Sequence, residues 1–131
     1  MTTRPPATES EWRRFGRSLT IAWRGTVLLV RTEPNARIHA AATVIVIAAG
    51  FLLGISRGEW CVVVAAVGLV WTAEGLNTAL EAVVDLASPE IHPLAGRAKD
   101  LAAGAVLLAT FAAVVIGLLV FGPRVLALVW H

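Results

Sequence analysis

Residues 60–86 read WCVVVAAVGLVWTAEGLNTALEAVVDL. The first part is an almost unbroken apolar run. The second carries Glu74, Asn77, Glu81 and Asp85 at steps of three, four and four. On a helix these steps put all four side chains on one narrow face. At about 1.5 Å per residue the segment is long enough to cross a hydrocarbon core of about 30 Å. Three carboxylates on one face of such a helix are costly, about 2.5–3.5 kcal/mol each at a bilayer centre on insertion scales. They require a cation, a metal or a proton, and so they mark a functional site. Depth relieves part of the cost. Asp85 stands at the end of the span, Glu81 about one turn deeper, and Glu74 deeper still.

Working outward, Ser56-Arg57-Gly58-Glu59 reads as a short polar turn before this span, and Ser88-Pro89-Glu90-Ile91-His92-Pro93 as a proline-bracketed loop after it. A third span covers about 98–121, ended by Gly122-Pro123, with Arg124 and Trp130-His131 as interfacial anchors. A first span covers about 38–55. It follows Arg31-Thr32-Glu33-Pro34-Asn35, where Pro34 suits a helix start and Thr32 a cap. Upstream, Trp12, Phe15, Leu19, Ala22, Trp23, Val27 and Val30 recur at helical spacing, with Arg13, Arg14, Arg17 and Arg24 mostly off that stripe. This predicts an amphipathic helix at about 11–31, lying in the membrane interface. Residues 1–10, MTTRPPATES, are polar and are expected to be disordered. The predicted fold is an all-α membrane protein: three transmembrane helices and an N-terminal surface helix in a single integral membrane domain, residues 11–131.

Composition points the same way. The chain is 57% hydrophobic and only 15% charged, with a mean hydropathy of +0.75, too little charge to cover a soluble domain. A chain of 131 residues is one domain with little interior of its own, so oligomerisation is a natural way to enclose a buried polar site. Cys61 is alone, which excludes an intrachain disulfide, a zinc quartet and a CxxC redox pair. The N-terminus lacks a short apolar core with a cleavage site, so no cleaved signal peptide is expected. Arginines crowd the first 37 residues, but hydrophobic residues interleave them at helical spacing, which argues against nucleic acid as a partner. With three spans, the N-terminal segment and the 87–97 loop share one side, and their excess of basic residues predicts that this side is cytoplasmic.

Several other charged residues fall at that same surface. Lys99 and Asp100 open the third span, Arg97 is close by, and Glu33 precedes the first. Together with Glu81 and Asp85 they can form a ring at the interface. Such carboxylates suit a hard divalent cation that takes phosphate oxygens as co-ligands, and Lys99 adds a point charge for a phosphate. Glu74, below the ring, suits a general base for a hydroxyl. Alternatives stay open for single residues. Asn77 and His39 can serve as hydrogen-bonding glue between helices. Lys99 and Asp100 can be interfacial anchors, Asp85 can neutralise Arg97, and His92 can be a surface histidine. As a whole, the stripe also fits a small oligomeric transporter with Glu74 as a proton or cation site, or a non-catalytic assembly subunit. Glu33, Lys99 and Asp100 at one surface argue against transport, which needs access from both sides.

Residues 74–85, EGLNTALEAVVD, and 92–107, HPLAGRAKDLAAGAVL, closely resemble the signature of the prokaryotic diacylglycerol kinase and undecaprenol kinase family of small three-span bacterial membrane kinases. Weaker similarity runs through Ala22-Trp23-Arg24-Gly25 and Glu33-Pro34-Asn35-Ala36-Arg37-Ile38-His39, so the resemblance covers roughly 12–120. It implies a homotrimer in the bacterial cytoplasmic membrane, with active sites between subunits that face the cytoplasm. It also implies transfer of the ATP γ-phosphate to a lipid hydroxyl with Mg2+. By position, Glu74 looks like the general base and Asn77 its neighbour in the site. Glu33 and Glu81 look like the metal-binding pair and nucleotide contacts. Lys99 and Asp100 look like further nucleotide contacts, and Arg14, His92 and Gly96 border the nucleotide. Asn35, His39 and Asp85 are candidates for shaping the site. The run from Glu33 to His39 looks like the undecaprenol kinase branch, because enterobacterial diacylglycerol kinases carry an acidic residue where His39 stands. The resemblance therefore favours undecaprenol as acceptor, with diacylglycerol as the alternative. The chain has no GxxxxGK[ST] loop, so phosphates must be held by other means.

Overall fold

A computed structural model of the chain describes residues 11–130. The expectation of disorder at residues 1–10 lies outside the described residues. Four helices follow one another: α1 Glu11–Thr32, α2 Pro34–Leu52, α3 Arg57–Ala87 and α4 Pro93–Val129. Helices α2, α3 and α4 are each long and apolar enough to cross a membrane. At about 1.5 Å per residue α2 is about 28 Å long and matches a hydrocarbon core, whereas α3 and α4 reach about 46 and 55 Å and overrun it. Measured from Arg57, about 20 residues cross about 30 Å, which sets the opposite boundary near Asn77. Glu74 then lies just inside the apolar layer, and Glu81 and Asp85 lie beyond it.

Helix α1 buries no residue, and its stripe of Trp12, Phe15, Leu19 and Trp23 stays exposed, as an interfacial helix requires. It is tied down at its C-terminal end. Arg37 of α2 donates to the carbonyls of Val30 and Arg31, at 3.2 and 2.6 Å, covering acceptors that a helix end leaves open. Only Glu33 separates α1 from α2. Glu33 is the N-cap of α2, but its side chain makes no capping bond. Thr32, expected as that cap, instead donates to Leu28 O inside α1.

A tight turn joins α2 to α3, and Gly54 takes φ +59° there, a left-handed conformation that costs glycine nothing. Ser56 and Glu59 then form a reciprocal capping box at the start of α3. Helices α3 and α4 are antiparallel and clasped at both ends. Asp85 pairs with Lys99 at one end, and Glu59 pairs with Arg124 through two bonds of 2.7 and 2.8 Å at the other. Arg124, expected at the far interface, also serves as an ion-pair partner within the fold.

The third span does not stop at Gly122-Pro123. Helix α4 runs through Pro123 to Val129. A proline ring normally collides with the Cβ of the preceding residue, and Gly122 has none. The Arg124 guanidinium also donates to Val120 O at 2.8 Å, adding a bond beside the one that proline cannot donate. The small core sits at this same end: Ile55, Val63 and Val120, with Val46, Trp60, Ile116 and Phe121 packed around them.

Candidate active site

Among the described residues Glu74 is the only buried charged side chain, 2% exposed. Helix α3 puts it there because Val63, Ala66 and Val70, also buried, precede it on the face turned toward the rest of the protein. Around Glu74 three buried oxygens lack any hydrogen-bond partner: Glu74 Oε2, Asn77 Oδ1 and Thr78 Oγ1. Each such group costs about 1–3 kcal/mol, so three on successive positions of one face form a reservoir of unmet hydrogen bonding. One turn further on, Asn77 Nδ2 donates to Glu81 Oε1 at 2.9 Å, which fixes the Glu81 carboxylate against α3. Asn77 and Glu81 of the stripe are thus linked directly.

The stripe leads outward to a second group of predicted residues. Asp85, His92, Gly96 and Lys99 line a cleft of about 250 Å3 at the α3–α4 connection. The Lys99 ammonium holds Asp85, which is the pairing realised instead of Asp85 with Arg97. His92 is the N-cap of α4, its Nδ1 accepting from Leu94 N at 3.2 Å, so the loop histidine has a structural task as well. A Cβ placed on Gly96 would meet nothing within 4 Å, so packing does not explain the glycine. Asp100 is exposed beside Lys99 in sequence, but it does not line the cleft.

Glu33 faces a different opening, about 730 Å3, between the C-terminal half of α1 and α3. Its walls include Thr26, Leu29, Trp71, Gly75 and Thr78. Thr78 therefore belongs both to the cluster around Glu74 and to the wall that Glu33 shares. Glu81 does not line this opening. His39 lines a smaller cavity of about 210 Å3 among α2, α3 and α4, with Thr43, Trp71 and Thr110. There Trp71 Nε1 donates to Thr43 Oγ1 at 3.1 Å. Asn35 is exposed in the first turn of α2, and Arg14 is exposed on α1.

Among the described residues of one chain, no three His, Cys, Asp or Glu side chains converge to hold a metal ion. Glu33 and Glu81 carry the carboxylate oxygens that a hard divalent cation takes. Asn77 fixes Glu81 and the Glu33 side chain is not spent on capping, but within one chain Glu33 lines an opening that Glu81 does not. Sequence reasoning missed Thr78. Its position next to Asn77, four residues after Glu74, was the available signal.

Comparison with known proteins places the chain in a family. The sequence model of the family described as prokaryotic diacylglycerol kinase matches residues 20–121. A Bacillus subtilis protein named undecaprenol kinase is 44% identical over 115 residues, 88% of this chain and 94% of the relative. A Synechocystis protein named diacylglycerol kinase is 45% identical over 112 residues, 85% of this chain and 64% of the relative. The diacylglycerol kinase of Escherichia coli K12 is 34% identical over 94 residues, 72% of this chain and 77% of the relative.

Proposed function

The chain belongs to the prokaryotic diacylglycerol kinase family and is a lipid kinase, and on that premise we propose that it phosphorylates undecaprenol with ATP and Mg2+. The observation that carries the chemistry is Glu74, a buried carboxylate with an unpartnered oxygen, which helix length puts just inside the apolar layer. A lipid alcohol presents its hydroxyl at that depth. Glu74 accepts the hydroxyl proton as the oxygen attacks the γ-phosphorus, and the bond to the β-phosphate oxygen breaks to release ADP. Magnesium, when bound, neutralises phosphate charge, and Glu33 and Glu81 are the residues that would hold it. Asn77 keeps the Glu81 carboxylate in place. Lys99 and Asp100 contact the nucleotide at the water-facing end, with Arg14, His92 and Gly96 at its border. Phosphoryl transfer asks mainly for alignment and charge neutralisation, so a scaffold this small suffices.

The reading places the site and the N-terminus in the cytoplasm, where ATP is found, in a bacterial plasma membrane. The working assembly is a homotrimer: most of the apolar surface of α2, α3 and α4 is exposed in one chain and available to lipid and to neighbouring copies. The acceptor assignment rests on the relative named undecaprenol kinase and on Glu33, Asn35, Ile38 and His39. Diacylglycerol is the second reading, because an equally similar relative carries that name. Purified protein in mixed micelles, given undecaprenol or diacylglycerol at equal mole fraction, tests the choice. Higher kcat/KM with undecaprenol is expected. A clear preference for diacylglycerol overturns the acceptor assignment while leaving the kinase chemistry intact.

A further inference from the structure

Thr20, Thr26, Thr32, Thr43 and Thr72 each donate their hydroxyl to the carbonyl four residues earlier in their own helix, at 2.7–3.2 Å. Such back-bonding satisfies a threonine hydroxyl within its own helix. Among the described residues Thr78 and Thr110 make no such bond, and of the two only Thr78 has a hydroxyl oxygen that is both buried and unpartnered. Its Oγ1 is buried and bonded to nothing, although the carbonyl four residues earlier belongs to Glu74. The hydroxyl is thus withheld from its own helix, on the same face as the unpartnered Glu74 Oε2. It also lines the opening that Glu33 borders.

We infer that Thr78 positions the acceptor hydroxyl for attack, an assignment that rests on reading Glu74 as the base. The hydrogen-bond inventory of an alcohol explains the pairing. The lipid hydroxyl has one proton to give and two lone pairs. Glu74 Oε2 offers only acceptance and takes the proton. Thr78 Oγ1 offers a proton and donates to one lone pair. The second lone pair is left to form the bond to the γ-phosphorus. Two contacts from one helix face fix the direction of that lone pair, which a single contact to Glu74 cannot do. As the proton passes to Glu74, the oxygen becomes more negative and the bond from Thr78 strengthens, so the interaction is worth more in the transition state than in the ground state. Thr78 is left with its second acceptor site unneeded, and no proton leaves it at any step.

The test compares Thr78→Val with Thr78→Ser in the full-length protein. The assay uses whichever of the two lipids, undecaprenol or diacylglycerol, the wild type turns over faster. Valine keeps the shape and removes the hydroxyl; serine keeps the hydroxyl and removes a methyl. A charge-assisted hydrogen bond predicts a fall in kcat of about tenfold or more for Thr78→Val, with the KM for ATP unmoved. Thr78→Ser is expected within about threefold of wild type. Full activity in Thr78→Val overturns the inference. So does equal damage in both variants, which would mean that the methyl group and packing matter. Glu74→Gln, run in parallel, keeps the two assignments apart. An active Glu74→Gln removes the base role, whereas the valine–serine contrast still reports on Thr78.

Discussion

Replacing Glu74 by Gln separates what this carboxylate does for chemistry from what it costs the fold. The side chain is 2% exposed, and Gln has nearly the same shape, so packing is preserved. What disappears is the ability to take a proton. Loss of a positioned general base costs about 10²–10⁴ in rate, equivalent to about 2.7–5.5 kcal/mol of transition-state stabilisation. Stability should move the other way. Glu74 Oε2 is buried with no donor, at a penalty of about 1–3 kcal/mol. The Gln amide is neutral and brings a donor to a face where Asn77 Oδ1 and Thr78 Oγ1 also lack partners. The variant should therefore be at least as stable as wild type, by roughly 1 kcal/mol. Phosphate transfer at saturating lipid gives the first quantity, and denaturant unfolding in mixed micelles gives the second. Activity within tenfold of wild type would refute the base assignment. A joint loss of activity and stability would show that the carboxylate is structural and that inactivation is a folding defect.

Three further substitutions probe the two ends of the molecule. Glu33→Ala and Glu81→Ala should each raise the Mg2+ concentration needed for half-maximal rate several-fold, and an unchanged Mg2+ titration would contradict their role as ligands. Gly50→Ala places a Cβ at 2.6 and 2.7 Å from Trp60 Cη2 and Cζ2 and 3.3 Å from Ile55 Cδ1. The expected overpacking cost of about 1–3 kcal/mol outweighs the gain of about 1 kcal/mol in helix propensity. Unfolding should shift to lower denaturant while the lipid KM stays put, and an unshifted midpoint would mean that Trp60 moves aside freely.

Much of this was written in residue order. Three spans and a basic surface helix follow from hydropathy and from the steps of three and four between Trp12 and Val30, because bilayer thickness and helical pitch are fixed quantities. The placement of Glu74, Glu81 and Asp85 along one helix was legible for the same reason. Helix ends were less so. Gly122-Pro123 looks like a stop when read locally, and only the packed partner shows why α4 continues, since Arg124 is held by Glu59, 65 residues away in sequence. Thr32 looks like a cap, yet its hydroxyl is spent on Leu28 O. The pairing of Asp85 with Lys99 rather than Arg97 likewise depends on how α4 leaves its cap at His92. The position of Thr78 beside Asn77 was legible, but its unpartnered hydroxyl was not, because that is a bond it does not make.

The molecule divides its labour between its two ends. At the end away from the site, Ser56 and Glu59 cap α3, Glu59 and Arg124 lock α3 to α4, and Trp60 closes over Gly50 beside Ile55, Val63 and Val120. At the site end the three unpartnered oxygens sit on α3, and the flanking ion pair, Asp85 with Lys99, is largely in contact with water. Exposed ion pairs contribute little, so the site end does little to hold itself together. The unmet hydrogen bonds around Glu74 can be tolerated because α3 is one continuous helix of 31 residues whose other end is fixed. A helix transmits that constraint along its length through its backbone ladder, which keeps Glu74, Asn77 and Thr78 in register although one oxygen of each has no hydrogen-bond partner. That arrangement explains how a chain with so small a core can keep a costly polar cluster on α3.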